Sequence, residues 1–184
     1  VGSILEQLGF EVLDADLVAH RVIQPGENAY DDIVERFGNG ILNGNGEIDR
    51  RKLGRIVFGD QEKMATLNAI VHPLVCAECR NWVSRQKFLH DRIAVIIPLL
   101  FEVGETAGWD AIVCVASPET KVEERLKRRG MSAREARIRI AAQMPVEEKV
   151  EKADYVIRNN GSLADLKEAT SNTIAEISNN KERE

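Results

Sequence analysis

Two aspartates, Asp14 and Asp16, close the short apolar run of "EVLDAD". Two readings stand for Asp16. It caps the helix that opens with "LVAH", accepting an N–H of the first turn, or it is a general base that takes a proton from a substrate hydroxyl. A second chemical signal lies between residues 121 and 139, where eight Lys or Arg (121, 125, 127, 128, 129, 134, 137, 139) accompany three Glu (123, 124, 135). Such runs are usually solvated faces, yet these glutamates are too few to neutralise it, which points to phosphate as partner. In "PLLFE", Glu102 stands at another strand end and faces either water or a ligand. His72, just before Pro73, reads as a packed side chain or a polar ligand contact, while His90 and Cys114 read as structural. Cys76 and Cys79 form a CxxC, but without the second pair that a zinc site needs.

Composition narrows the class. A chain of 184 residues suits one domain with room for sub-domains, and its 43% hydrophobic and 30% charged residues are those of a globular protein. No apolar run is long enough to span a bilayer. The net charge of -5 argues against a general nucleic-acid binder, as does the short joint at Gly130 against a helix-turn-helix. Three cysteines, an odd number, with no secretory leader favour a reduced, cytoplasmic setting.

These residues need elements to position them. Ile4, Leu5 and Leu8 share a helical face that ends at Gly9, with no start signal before it. The expectation is a chain that begins partway through an element, with more sequence upstream. Glu11 to Leu13, "RIAVIIPLL", "WDAIVCVAS" and "ADYVIRNNG" are short, apolar and β-branched, as strands covered on both faces are. Helical segments alternate with them, including a last one carrying Leu163, Leu166, Ile174 and Ile177, so the fold class is α/β with a parallel sheet.

Residues 17–90 are far more than one crossover needs. They read as a helical insertion: a helix ending at Gly38, another capped by Asp49, then "QEKMATLNAI" and a separate "HPLVCAECRNWVSRQ" with Pro73 in its first turn. After the third strand come two helices joined at Gly130, the second opened by the capping box of Ser132 and Glu135. Ligands of parallel sheets gather at the carboxyl ends of strands. Those ends carry Asp14 and Asp16, Pro98 to Glu102, Ser117 and Pro118, and Asn159 and Asn160.

The motifs "VLDADLVAHRVIQPG", "IDRRKLGRIVF", "LNAIVHPLV", "PLLFE", "RIAAQMP" and "KADYVIRNNGS" occur together in the order and approximate spacing of dephospho-coenzyme A kinases, and from residue 2 to about 170 the chain resembles that family. The resemblance implies a P-loop kinase-like core (1–16, 91–118 and 151–184), a helical CoA-binding insertion (17–90) and a helical lid (119–150). It implies transfer of the γ-phosphoryl of ATP to the ribose 3′-hydroxyl of dephospho-CoA, with ATP and Mg²⁺ required. The partners it implies are these substrates, without nucleic acid or membrane, for a monomer or weak homo-oligomer. In the family a strand and a Gly-rich phosphate loop precede the helix that reads "VGSILEQLGF". The chain as given lacks that loop, so the fragment itself is expected to be inactive until its upstream residues are restored. Another small-molecule kinase of the same architecture and a noncatalytic nucleotide- or CoA-binding module are the rival readings.

Carried over by motif, Asp16 resembles the base for the 3′-hydroxyl, and Asp14 shapes the strand end beside any metal shell, with no residue assigned as a metal ligand. His20, Arg21, Arg50, His72, Pro73, Leu99 and Glu102 resemble the acceptor side. Arg128, Arg139 and Gln143 match the lid, and Asn159 and Gly161 a motif near the adenine. The lid helix departs from the family pattern, with Lys121, Glu124 and Arg128 in place of Gln, Arg and Arg. Arg125 is displaced by one residue, about 100° around the helix, so it is an imperfect substitute for nucleotide binding.

Overall fold

The computed structural model describes residues 1–181; the last three residues of the expected core segment 151–184 lie outside the described residues. Two compact units form, one of Phe10–Pro98 and one of Val1–Gly9 with the chain from Leu99 on. This division follows the two hydrophobic cores, and its boundaries differ from those of the expected core, insertion and lid.

In the first unit, β1 (Glu11–Asp14) runs parallel to β2 (Ile93–Ile96), with Glu11 opposite Ile93 and Asp14 opposite Ile96. Between them come α2 (Ala15–Val22), α3 (Tyr30–Phe37), a 3₁₀ turn (Asn39–Ile41), α4 (Arg50–Val57) and α5 (Gln61–Gln86). Val18, Val22, Ile33, Ile41, Leu53, Val57 and Cys79 form the buried core, against which Leu13 and Val95 of the strands pack. Each such aliphatic side chain contributes roughly 1.5–3 kcal/mol on leaving water. α3 ends at Gly38, whose φ of 79° few other residues adopt. α4 begins where the Asp49 side chain accepts the amides of Arg51 and Lys52, at 2.9 and 3.2 Å, as its cap position predicts.

One expectation is corrected. The two helices divided before Pro73 are a single helix of 26 residues with Pro73 inside it. Proline deprives only the Ala69 carbonyl of its donor, and Ala69 and Pro73 both lie on the exposed face, where water can serve that carbonyl. Leu67, Ile70, Val71, Leu74 and Val75 pack on the core on either side and carry the helix through.

In the second unit, α1 (Gly2–Gln7) and the long α10 (Leu163–Lys181) accompany β3 (Val113–Ala116) and β4 (Tyr155–Arg158), again parallel, with Val113 opposite Tyr155. Between the strands lie α7 (Glu119–Arg128), α8 (Ala133–Ala141) and α9 (Val146–Lys152), and α6 (Leu100–Val103) precedes β3. Ile4, Ile157 and Leu166 form the core with Val1, Leu8, Val113 and Ala169. Leu163, placed by its spacing on the apolar stripe of α10, is 74% exposed, because it is the first residue of the helix and lies one turn short of the buried Leu166 and Thr170. The parallel pairing matches the α/β expectation, in two two-stranded ladders. No helix of the described residues is long and apolar enough to cross a membrane.

Proline costs a helix interior about 3 kcal/mol relative to alanine. Pro73→Ala therefore stabilises the protein by up to about 3 kcal/mol, read as a higher urea midpoint at unchanged m value; a lowered midpoint would mean that Pro73 contributes more through its packing than it costs the helix.

Candidate active site

The strand β1 passes into α2 without a loop, so the last strand residue must satisfy the first helical amides. Asp14 does this: it is extended (φ −102°, ψ 115°) and its Oδ1 accepts the Asp16 amide at 2.9 Å. The cap is thus Asp14, and the cap reading of Asp16 is overturned. Asp16 sits in the first turn, exposed, and among the described residues its carboxylate has no hydrogen-bond or ion-pair partner. A carboxylate there complements the positive end of the helix and can receive a proton.

The same unit holds the other acceptor-side residues. His20 and Arg21 close α2, both exposed. Arg21 donates to Glu78 of α5 at 2.9 Å. Arg50 opens α4, exposed and unpaired among the described residues. His72 is half-buried on α5, and burial pushes its imidazole below its ordinary value of 6.5. Neither Cys76 nor Cys79 is in a disulfide; burial above all pushes Cys79 up to about 11, and no described group of three or more His, Cys, Asp or Glu could hold a metal ion.

In the second unit, Arg125 is half-buried and committed. Its Nη1 donates to Ser117 Oγ at 2.9 Å, and its Nη2 to the carbonyl and side-chain oxygens of Asn159 at 3.0 and 3.1 Å. Ser117 Oγ donates to the Asn159 carbonyl at 2.9 Å. The residues just past β3 and β4 are thereby tied to α7, and Arg125 holds the Asn159 loop. Two residues after Asn159 comes Gly161, where a Cβ would lie 2.2 Å from Asp165 Oδ2. That oxygen accepts the Ser162 amide at 2.7 Å, while Ser162 Oγ accepts the Asp165 amide at 3.2 Å, a reciprocal cap that starts α10.

The basic hairpin α7–α8 has its three glutamates occupied. Glu123 pairs with Lys127 and Glu124 with Arg128, each at 2.8 Å. Glu135 forms the capping box with Ser132. Lys121, Arg129, Arg134 and Arg139 are exposed and unpaired among the described residues, and Gln143 is exposed just past α8.

Leu99 caps α6 without a side-chain bond. Glu102 does not stand open at a strand end: its Oε1 accepts the Met144 amide at 2.9 Å and lies 2.7 Å from Lys149 Nζ. Burial raises the Glu102 pKa, but the Lys149 ammonium and Met144 amide outweigh it and hold the carboxyl below its ordinary 4.5. Sequence reasoning missed Glu78 and Lys149, and gave Ser117 a place at a strand end but no role. Lys149 lies in "VEEKVEK", which reads as solvated charge.

The dephospho-CoA kinase family model matches residues 1–165. The dephospho-CoA kinase of Carboxydothermus hydrogenoformans is 46% identical over 170 residues, covering 91% of this chain and 82% of that protein. That of Geobacillus kaustophilus is 44% identical over 173 residues, covering 88% and 82%. Among solved structures, TT1252 from Thermus thermophilus superposes with a TM-score of 0.76 at 36% identity, covering 95% of this chain and 88% of that one. The dephospho-CoA kinase from Campylobacter jejuni gives 0.66 at 29%, covering 97% and 90%.

The native state holds His72 neutral more strongly than the unfolded chain does, so stability is full above pH 6.5 and is lost as the pH falls through and below that value. Urea midpoints measured from pH 7.5 down to 5.5 should fall less in His72→Gln than in the parent; parallel curves would remove His72 as a source of acid sensitivity.

Proposed function

The chain belongs to the dephospho-CoA kinase family, whose reaction is the ATP-dependent phosphorylation of dephospho-CoA in coenzyme A biosynthesis, and on that premise we propose that Asp16 takes the proton of the acceptor's ribose 3′-hydroxyl. The observation that carries this reading is the division of labour at the end of β1. Asp14 meets the demand of the helix, so Asp16 keeps an exposed carboxylate with no described partner.

Phosphoryl transfer has a loose transition state, in which positioning and charge neutralisation do most of the work. Residues 17–90 supply the acceptor side. Arg50 carries a guanidinium open to bidentate phosphate binding, Arg21 a second one braced by Glu78, and His72 on α5 and His20 on α2 offer imidazoles. Residues 119–150 act as a lid: the unpaired cations of α7–α8, Arg139 among them, close over the triphosphate with Arg128 and Gln143 and exclude water. Asn159 and Gly161 shape the loop that meets the adenine, and Arg125 serves it by holding Asn159 rather than by touching phosphate. ATP enters as its Mg²⁺ complex, the ion being part of the substrate. The enzyme works in the cytoplasm as a monomer or weak homo-oligomer, a setting that three cysteines outside any disulfide support.

In the active enzyme Asp16→Asn lowers kcat roughly 10²-fold or more, while the Kd for dephospho-CoA, read by calorimetry, stays near that of the parent. Near-normal turnover would remove Asp16 from the mechanism.

A further inference from the structure

The α7–α8 hairpin is rooted at two places. At its N-terminal root Arg125 grips Ser117 and Asn159. At its C-terminal root the chain leaves α8 through Gln143 and reaches Met144, whose amide donates to Glu102 Oε1 at 2.9 Å. The same oxygen lies 2.7 Å from the Lys149 ammonium on α9, and α9 packs against β3. Although the backbone of Glu102 is open to solvent, its side chain is only 20% exposed, and that of Lys149 14%. Among the described residues this pair is less exposed than pairs such as Arg21 with Glu78 at 56% and 37% or Arg128 with Glu124 at 74% and 53%. A charge-assisted contact withdrawn from water in this way is shorter and stronger than a neutral one, and removing either partner leaves the other charge poorly solvated.

The "PLLFE" carboxylate is therefore spent inside the protein. We propose that Glu102 is a positioning residue for the lid: through the Met144 amide and the Lys149 ammonium it pins the C-terminal root of the α7–α8 hairpin, and it does not bind the acceptor. Two pins then define the hairpin's resting place, one set by an arginine on α7 and one by a carboxylate on α6. The role assigned to the pinned element rests on the reading of α7–α8 as the lid over the nucleotide.

Three variants test this: Glu102→Gln, which keeps an oxygen for the Met144 amide, Glu102→Ala, which removes it, and Lys149→Met, which removes the ammonium. Two readouts need no turnover, namely tryptic cleavage at the Lys and Arg residues of 121–139 and amide exchange at Met144. Glu102→Ala and Lys149→Met should each speed both by roughly tenfold, the size expected for a hydrogen bond to a charged group. Glu102→Gln should fall between them and the parent, and the Glu102→Gln/Lys149→Met double variant should be no faster than the faster single one. In the active enzyme the KM for ATP should rise while that for dephospho-CoA stays put. Unchanged protection of the hairpin in folded Glu102→Gln and Lys149→Met overturns the proposal, and so does a rise confined to the KM for dephospho-CoA. Faster cleavage with an unchanged KM for ATP supports the pin and removes instead the reading of the hairpin as a nucleotide lid.

Discussion

The hydrogen bond from the Asp16 amide to the Asp14 carboxylate decides what the second aspartate is free to do. A strand that turns directly into a helix leaves unsatisfied amides at the turn, and some acceptor must meet them. With Asp14 in that position, the helix starts one residue after the strand ends, Ala15 enters the core, and Asp16 points out of it. Were Asp16 the cap, its carboxylate would be engaged and Asp14 would be the one left free at that strand end. The order of the two aspartates, cap first and free carboxylate second, follows from Asp14 preceding the helix while Asp16 lies in its first turn.

The same competition between structure and chemistry runs through the second unit. Of the three glutamates in the basic hairpin, two pair with their own helix and one caps the next. Four exposed cations stay unpaired among the described residues, which is the composition of a surface that meets an anion. Arg125 and Glu102, by contrast, are drawn inward and hold backbone: one the loop at Asn159, the other the amide of Met144. Charged residues of the same motifs thus divide into those that face outward and those that fix where the outward ones stand.

Much of this was legible in the chain itself. The parallel α/β class, the four strands, the caps at Asp49 and Ser132, the turn at Gly130 and the basic hairpin all rest on local signals: apolar runs, the amide-accepting side chains of Asp and Ser, and a glycine free to take positive φ. Pro73 was the misleading one. Local preference says that a helix starts there, whereas apolar contacts on both sides of it reward one continuous helix, and tertiary packing outweighs a single missing hydrogen bond.

By itself the sequence determined which residue types stand at the strand ends and that cations exceed anions in one hairpin, because those are properties of neighbours along the chain. It could not say which of two aspartates would cap, or that Glu102 would meet Lys149 and Met144 across more than forty intervening residues. Whether a carboxylate is a base, a cap or a brace depends on the donors that folding brings to it, and a donor from a distant segment leaves no mark on the local sequence. Only the tertiary structure could tell the cap and the brace from the carboxylate left free.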